Sequence, residues 1–451
     1  MSDDNKKRKA SQKPPESPAR EMKRKASNVE ILLFNGLKDE HSFGTTEDEQ
    51  YETFLETLPK REKAKVLKLE KELLKKAPKE SMQPIKYRIL VSSMPEDAKV
   101  IAIQRLELFS RLGSDDQEFS KQKEWFETLL KIPFTKEIGV PRFSTDSNSK
   151  VAIQNYLNDL TDNLNKDLYG MQNAKETFLQ ISARSITNPD STSHAIALQS
   201  PPGCGKTLAV QAFARAIGRP FHLVALGGAK DSSLFIGHDY TYLNSKCGLL
   251  ASILIQSGCM NPIVLFDELD KVSGSHQGEE IIGLLIHLID NTQNRYVQDR
   301  YFSGINLDFS KVLFVFSFND ETKIDPVLLD RISIINLKKY TTADKLIIAK
   351  KHMVPNSLAN VGIPSGHLQF SDEVIKEIIS TYTNGEAGVR SLKKCVDTIC
   401  MQVNLMTLNG NMHPKMSLSI HQRPIHIVSK DLSYLLKDIE IKDRAYLSMY
   451  V

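Results

Sequence analysis

The apolar positions of this chain follow three successive patterns. At 60–76, at about 96–112 and at about 118–131, they recur with the spacing of an amphipathic helix. From 195 to about 337, short apolar runs that are typical of buried strands alternate with helical spacing. Helical spacing continues from 342 to about 437. The pattern predicts a helical region, a central α/β domain and a small helical domain, in that order.

The apolar runs of the central region predict the strands of one sheet. Because helical patterns separate them, we expect a parallel sheet with helices on both faces. A ligand of such a sheet binds at the carboxyl ends of its strands. The predicted strands are 195–198, 222–226, 263–266, 311–318 and 333–337. Helices are predicted from 151 to about 185 and from 208 to 217.

Composition sets the expected boundaries of these regions. The first fifty residues hold few apolar side chains and are basic and then acidic, which predicts a disordered tail. The stretch 139–149 is rich in Pro, Ser, Thr and Asn and predicts a linker. The predicted parts are the tail 1–50, the helical region 51–138, the α/β domain 139–340, the small helical domain 341–437 and a C-terminal tail 438–451.

Overall composition is that of an intracellular globular protein. Of the 451 residues, 41% are hydrophobic and 25% are charged, which is close to the average of soluble proteins. No apolar run approaches the roughly 18 residues that cross a bilayer. Five scattered cysteines predict reduced thiols. We expect a soluble protein of the cytoplasm or the nucleus that does not bind membranes.

Two basic clusters, Lys6 to Lys9 and Lys23 to Lys25, lie in the predicted N-terminal tail. They are typical of a bipartite nuclear-import signal, which an import receptor would bind, or of a contact with a polyanion such as nucleic acid. A merely solvated chain end has the same composition, so these interpretations stay open.

A glycine-rich stretch joins the first predicted strand to the helix 208–217. Backbone N–H groups in such a loop, together with the positive end of the helix, bind a chain of phosphates. Lys206 is predicted to contact the β- and γ-phosphates of ATP, and Thr207 to bind Mg²⁺. A chance turn before a surface helix fits this context less well. The nucleotide-binding residues are Ser200, Pro201, Pro202, Gly203, Cys204, Gly205, Lys206 and Thr207.

Two carboxylates, Asp267 and Glu268, follow the third predicted strand. Asp267 is placed to hold Mg²⁺, and Glu268 is placed to polarise an attacking water molecule. An acidic pair after a strand is also a common helix cap. The presence of Lys206 and Thr207 upstream favours the catalytic interpretation.

Three further polar residues are candidates for catalysis. Asn319 follows the fourth predicted strand and could hold the same water molecule, although alone it is typical of a turn. Arg331 could neutralise charge on phosphoryl oxygens; the alternative is a salt bridge to Asp330 or Glu268. Arg390, in the small helical domain, would sense the nucleotide from above.

Together these motifs resemble the ATPase module of Lon proteases, within the AAA+ class, over roughly residues 60–437. The resemblance implies an AAA+ P-loop core with a parallel sheet between helices, preceded by a helical region and followed by a small helical lid domain. It implies that Tyr169 lies beside the adenine and that Asn319 is the first sensor. It also implies that Arg331 acts on the nucleotide of a neighbouring subunit and that Arg390 is the second sensor. The strings that carry it include Met94-Pro95, Ile132-Pro133-Phe134, Tyr169-Gly170-Met171, Leu226-Gly227-Gly228, Gly237-His238, Asn261-Pro262, Leu328-Leu329-Asp330-Arg331 and Glu386-Ala387-Gly388-Val389-Arg390.

The same resemblance assigns Tyr242 and Leu243 to a loop that grips substrate in the central pore of a ring. An aromatic and an aliphatic side chain on a mobile loop can wedge against any extended polypeptide without reading its sequence. Taken without the resemblance, Tyr242 is more often a packed surface tyrosine.

Two parts of a Lon protease have no recognisable counterpart in the sequence. The first sixty residues do not resemble the N-terminal β domain that collects substrates, and no Ser–Lys peptidase dyad can be assigned after the lid. We therefore expect no peptide-bond hydrolysis by these residues.

The expected function is that of a Mg²⁺-dependent ATPase in a homo-hexameric ring. It would unfold or remodel polypeptides, or supply a separately encoded protease with substrate. A nucleic-acid-associated AAA+ ATPase is the first alternative, but the residues after the tail show no interleaved aromatic and basic positions. A subunit that binds ATP without turnover would have lost catalytic residues, and they are all present.

Overall fold

The computed structural model describes residues 47–76, 83–110, 117–139, 147–191, 195–229, 231–242, 245–272, 274–364, 366–410 and 424–437. The chain divides into two compact units, Met1–Gln83 and Pro84–Val451. The described part of the first unit consists of helices α1 (Glu47–Thr57) and α2 (Lys60–Lys76). The prediction for 60–76 is confirmed. Helix α1 begins at Glu47 and so overlaps the last four residues of the predicted tail 1–50.

Three helices open the second unit. They are α3 (Ile85–Val91), α4 (Glu96–Phe109) and α5 (Gln117–Leu129). The last two confirm the predicted helices to within three residues, and α3 was not predicted. Trp125, Phe126 and Leu129 of α5 are fully buried, so this helix contributes a large apolar face to the core of the unit.

The prediction of one continuous helix from 151 to 185 is wrong. The structure has two helices there, α6 (Ser147–Asp167) and α7 (Gln172–Thr187). Gly170 and Met171 have φ values of 66° and 55°, which an α-helix cannot accommodate. The buried ammonium group of Lys175 donates to Asn165 Oδ1 and to the carbonyl of Leu168, both at 2.8 Å, and so stabilises the end of α6. Because α6 begins at Ser147, the predicted linker 139–149 was too long; residues 140–146 lie outside the described residues.

The central region contains the predicted parallel sheet. Five of the described strands pair in the order β2, β3, β6, β1, β7, and each neighbouring pair is parallel. Each predicted strand is confirmed to within two residues. The short antiparallel pair β4 and β5 was not predicted. The strands of this region are β1 (Ile196–Gln199), β2 (Phe221–Ala225), β3 (Ile263–Asp267), β4 (Val297–Gln298), β5 (Asn306–Leu307), β6 (Leu313–Phe318) and β7 (Ser333–Asn336).

Helices cover both faces of this sheet, which is why its central strands are continuously apolar. On one face Phe266 stacks with Phe316 at 5.4 Å between ring centres. On the other face Leu265 packs in a cluster with Phe178 and Phe213, whose rings stack at 4.3 Å. The helices of this region are α8 (Lys206–Ile217), α9 (Ser233–Ile236), α10 (Leu249–Ser257), α11 (His276–Ile289) and α12 (Pro326–Asp330).

The remaining described residues form a separate apolar core built mainly from helices. Val374, Leu392, Val396 and Ile399 are among its buried members. A two-stranded parallel pair, β8 (Leu368–Phe370) and β9 (Ile425–Ile427), was not predicted. The helices are α13 (Thr342–Ile348), α14 (Val354–Val361), α15 (Asp372–Glu377), α16 (Arg390–Asn409) and α17 (Ser429–Leu435). Within the described ranges, every helix is too short or too polar to cross a membrane.

Candidate nucleotide-binding and catalytic site

The phosphate loop, residues 200–207, connects β1 to α8 as predicted. Gly203 and Gly205 have φ values of 80° and 88°, which only glycine adopts readily. Gly205 is the residue from which α8 starts, so the positive end of that helix faces the loop. Ser200 is not among the residues with positive φ, and serine is therefore compatible with the position where such loops often have glycine.

The ammonium group of Lys206 lies where the ends of two strands meet. It donates to the carbonyl of Ser200 at 2.8 Å and to Asn319 Oδ1 at 2.7 Å. Burial lowers the pKa of Lys206, and the nearby Asp267 carboxylate acts in the opposite direction. The predicted phosphate-binding lysine and the predicted first sensor are thus in direct contact.

We expect Lys206→Ala to weaken ATP binding about 10- to 100-fold, since a charge-assisted contact contributes about 1.5–3 kcal/mol. The folded protein should not lose thermal stability without nucleotide, because burial disfavours the charged lysine. Titration with a fluorescent ATP analogue measures the affinity. Lys311→Ala is the matched control, because the Lys311 ammonium also donates two hydrogen bonds, in its case to the carbonyls of Pro189 and Ser191. Equal ATP affinity of the Lys206→Ala protein and its parent would contradict the phosphate-loop assignment.

Asp267 and Glu268 stand at the carboxyl end of β3. Asp267 Oδ1 accepts hydrogen bonds from the Ser317 hydroxyl and, at 3.1 Å, from the Glu268 N–H group. Glu268 has φ 60° and ψ 46°, a conformation that is uncommon outside glycine. It precedes the short 3₁₀ turn Leu269–Lys271, but its side chain makes no capping hydrogen bond in the described residues. The helix-cap alternative is therefore not what the structure shows for Glu268.

The carboxylate of Glu268 lies over Gly227. A β-carbon at Gly227 would be 2.7 Å from Glu268 Oε2, so a larger residue would displace the carboxylate. This contact gives a physical reason for a glycine in the Leu226-Gly227-Gly228 string.

Asp270 is a functional candidate that sequence reasoning missed. It is buried, and its Oδ2 atom accepts the backbone N–H groups of Asn319 at 3.2 Å and Asp320 at 3.3 Å. Asp270 therefore fixes the turn that carries Asn319. The available signal was its place in the acidic Asp267-Glu268-Leu269-Asp270 stretch.

Arg331 directly follows α12, and its side chain forms an ion pair with a residue that was not predicted as its partner. Its Nη1 atom lies 2.5 Å from Asp290 Oδ2. Hydrogen bonds from Thr292, and then from Arg331, lower the pKa of Asp290 to about 2. The alternative prediction of a salt bridge from Arg331 to Asp330 or Glu268 is wrong: among the described residues, Arg331 pairs with Asp290, which directly follows α11. The Arg331 side chain keeps 41% of its surface exposed.

The lid contacts the phosphate loop through main-chain atoms. The Val389 N–H group donates to the carbonyl of Gly203 at 3.0 Å. A β-carbon at Gly388 would overlap the backbone of Gly203. Arg390, the predicted second sensor, begins α16 directly after this contact.

Glu386 holds the start of α16 in place. Its carboxylate accepts the N–H groups of Arg390 at 3.2 Å and Ser391 at 2.6 Å, which also suits the positive end of the helix. The Lys345 ammonium donates to the Glu386 carbonyl. The sequence contained Glu386 in a quoted string, but only the folded chain shows this role.

We expect Gly388→Ala to destabilise the protein by about 1–3 kcal/mol, because the added methyl group meets backbone that has no rotamer to change. ATP affinity should fall with it, since the phosphate loop must move. Denaturant unfolding and nucleotide titration measure the two effects. Gly283→Ala is the control: Gly283 lies inside α11 with nothing within 4 Å of an added β-carbon, so the change should be neutral or stabilising. A neutral Gly388→Ala would contradict the close contact.

Tyr169 and Met171 bring the turn between α6 and α7 next to both the lid and the phosphate loop. The Tyr169 hydroxyl donates to Asp344 Oδ1 at 3.1 Å. A β-carbon at Gly205 would lie 2.9 Å from the methyl group of Met171. The position is consistent with the predicted adenine contact, which stays a prediction.

Tyr242 is 62% exposed. It is therefore not a packed surface tyrosine, and its side chain is available for contact. Leu243, predicted to act with it, lies outside the described residues.

Two family models match the chain. The ATPase family associated with various cellular activities (AAA) matches residues 196–340. The Lon protease AAA+ ATPase lid domain matches residues 359–415. The chain carries a Lon-like AAA+ module. This confirms the predicted fold and the predicted ATP-binding P-loop, whereas the outer domain boundaries and the roles of single residues stay predictions.

Relatives of the Lon-like module are long proteins. A Lon protease homolog of Acanthamoeba polyphaga mimivirus is 34% identical over 315 residues, which are 69% of this chain and 30% of the relative. A mitochondrial Lon protease homolog of Schizosaccharomyces pombe is 34% identical over 307 residues, 68% of this chain and 27% of the relative. A peroxisomal Lon protease homolog 2 of Bos taurus is 32% identical over 327 residues, 72% of this chain and 36% of the relative. The matched region thus spans about a third of these relatives, and their names lend no support to the predicted nuclear location.

Proposed function

We propose that the Lon-like module hydrolyses ATP with Mg²⁺ in a ring of identical subunits and uses the energy to unfold or remodel polypeptides. One observation carries the proposal. The Lys206 ammonium joins the phosphate loop to Asn319 at the same sheet edge where β3 ends in Asp267 and Glu268. Groups for binding phosphate, holding a metal and directing water therefore share one edge of the sheet.

The donor atoms at this edge fit Mg²⁺. The Thr207 hydroxyl and the Asp267 carboxylate are hard oxygen ligands, the class that Mg²⁺ prefers. The glycines at 203 and 205 leave the loop free of β-carbons where phosphates would approach. Thr207 and Asp267 would hold this ion, whose positive charge would help to neutralise the phosphates.

The protein groups divide the remaining work. Lys206 neutralises charge on the phosphates, and its contact with Asn319 Oδ1 leaves the amide nitrogen of Asn319 as the donor toward water or phosphate. Glu268 accepts a hydrogen bond from the attacking water and polarises it. The absence of a β-carbon at Gly227 leaves the space that this carboxylate occupies.

The ring is proposed from Arg331 and Tyr242. Asp290 holds the Arg331 guanidinium while 41% of the side chain stays exposed, which suits contact with the nucleotide of a neighbouring subunit. Exposed Tyr242 suits contact with a polypeptide in the ring's centre. Both matched family models describe ATPase parts, which supports a motor that unfolds or remodels polypeptides. A separately encoded protease is a further candidate partner.

The test compares ATP turnover of the purified chain alone, with an unfolded protein and with DNA. We expect stimulation by the unfolded protein. Stimulation by DNA alone would instead favour a nucleic-acid-associated ATPase. Electrophoresis of the protein after long incubation with ATP checks for cleavage, and persistent fragments would show a peptidase activity.

We expect Tyr242→Ala to keep basal ATP turnover within about twofold of the parent while unfolding of a tagged globular substrate falls at least about tenfold. The reason is that alanine offers little surface to wedge against a moving chain. Loss of substrate fluorescence measures unfolding. Tyr296→Ala is the control, since Tyr296 is also 62% exposed but lies outside this loop. Unfolding at the parental rate by the Tyr242→Ala protein would remove the proposed role of the loop.

A further inference from the structure

The Tyr242 loop spans residues 237–248, of which the structure describes 237–242 and 245–248, and its two ends meet at a common base. A β-carbon at Gly237, where φ is 75°, would lie 2.8 Å from the Gly248 nitrogen and 2.9 Å from Asp299 Oδ1. The Gly248 N–H group donates to Asp299 Oδ2 at 2.7 Å. The two ends of the loop therefore meet in a space that only glycines fit.

Asp299 connects this base to the 3₁₀ turn Arg300–Phe302. It is buried, and its Oδ1 atom accepts the Tyr301 N–H group at 2.9 Å. Burial raises the pKa of Asp299 to about 7, against the effect of hydrogen bonds from Gly248 and Tyr301. One oxygen of this carboxylate thus holds the end of the loop at Gly248, and the other holds the 3₁₀ turn at Tyr301.

Tyr240 ties the other limb of the loop to the helices that precede the core. Its hydroxyl donates to Glu118 Oε1 at 2.6 Å. The guanidinium carbon of Arg105 lies 4.0 Å from the Tyr240 ring centre and 4.2 Å from the Trp125 ring centre. Burial lowers the pKa of Arg105. A largely desolvated cation between two rings makes a strong contact.

Both limbs converge on Tyr301. The Trp125 indole N–H donates to the carbonyl of Tyr301 at 2.8 Å. The rings of Tyr240 and Tyr301 are 6.0 Å apart. Helices α4 and α5, the 3₁₀ turn and the two limbs of the loop therefore form one connected group of buried and half-buried contacts.

We infer that Arg105 and Tyr240 are positioning residues for the Tyr242 loop, and that α4 and α5 are the support against which the loop pulls. The inference rests on the proposed function, in which Tyr242 grips substrate. Only Thr241 separates Tyr240 from Tyr242 in the sequence. A force on the exposed Tyr242 side chain therefore reaches the Arg105 contact through two peptide bonds. Without that contact, the loop would be displaced under load before the substrate unfolds.

The experiment uses the full chain with Arg105→Ala and Tyr240→Ala. Basal ATP turnover should stay within about twofold, while unfolding of the tagged substrate falls at least about tenfold and the ATP consumed per unfolded molecule rises accordingly. The double variant should be no slower than the worse single variant, because the two residues act as one unit. Tyr87→Ala, a change of a 51% exposed tyrosine on α3, should behave as the parent.

Conservative variants keep the test decisive if the alanine variants fold poorly. Tyr240→Phe retains the ring beside Arg105 and loses the hydroxyl that donates to Glu118, so it should lose less unfolding activity than Arg105→Lys, which loses the planar contact. The inference would be overturned if, in these variants, basal ATP turnover and melting temperature fell together with the substrate-unfolding activity. Arg105 and Tyr240 would then have only a structural role.

Amide hydrogen exchange gives a readout that needs no substrate. Exchange in residues 237–248 should rise at least about tenfold in the Arg105 and Tyr240 variants, while exchange in β1 stays unchanged. Unchanged loop exchange would overturn the inference whatever the unfolding assay shows. If Tyr242→Ala unfolds substrate normally, the proposed function fails separately from the anchoring role.

Discussion

Arg331→Ala protein is expected to bind ATP as the parent does and to hydrolyse it at least about a thousandfold more slowly, the effect of losing an arginine that acts on transferred phosphoryl charge. The residue directly follows α12, its guanidinium pairs with Asp290, and 41% of its side chain stays exposed. Steady-state ATP turnover measures the loss. Arg215→Ala is the matched control, because Arg215 is also exposed and paired, with Asp167 at 3.2 Å.

A mixed ring tests whether Arg331 acts on the nucleotide of a neighbour. Arg331→Ala and Glu268→Gln subunits are each expected to be inactive alone. In a mixture, some interfaces combine an intact Glu268 with an intact Arg331, and activity should return. No recovery, with subunit exchange shown independently, would assign Arg331 to its own subunit or to the Asp290 ion pair only.

The second large effect is expected for Glu268→Gln. ATP binding should stay close to that of the parent, while turnover falls by about 10²- to 10⁴-fold, because the amide keeps the shape but cannot take up a proton from water. The variant should accumulate as an ATP-loaded ring. Turnover is measured at saturating ATP, and binding by titration of the same preparation.

Glu107→Gln is the control for this change, since Glu107 is an exposed residue on α4, far along the chain from the phosphate loop. It should leave turnover unchanged. Hydrolysis at the parental rate by Glu268→Gln protein would show that another group activates the water.

The fold could be predicted where a helix or strand is long enough to leave a clear hydrophobic pattern in the sequence. Continuous apolar runs predicted the central strands β1, β3 and β6, because burial on both faces disfavours polar residues. The edge strands β2 and β7 are only partly buried, and partly apolar runs sufficed to predict them. The strands β4, β5, β8 and β9 span two or three residues each, too few for a pattern to form. The break at Gly170 and Met171 was missed because apolar spacing continues through it, while only backbone dihedrals record the interruption.

The sequence predicted which strand ends carry the residues of the candidate site. It did not predict which distant residues these side chains contact. A parallel sheet brings Lys206, Asp267 and Asn319 to one edge, so their sequence positions sufficed. Contacts between distant elements were different: the Arg331 partner is Asp290, 41 residues away in the chain, rather than the adjacent acid. The role of Glu386 depends in the same way on how the lid packs against the phosphate loop.

The contact between Val389 and Gly203 limits how this molecule can change shape. Where side chains separate two elements, a small shift is absorbed by rotamer changes, but here one peptide group rests on another. A displacement of the phosphate loop is then expected to displace the start of α16 as well. We therefore expect the start of α16 to move together with the phosphate loop, and this coupling to persist after side-chain substitutions that leave the main-chain contact and Glu386 intact.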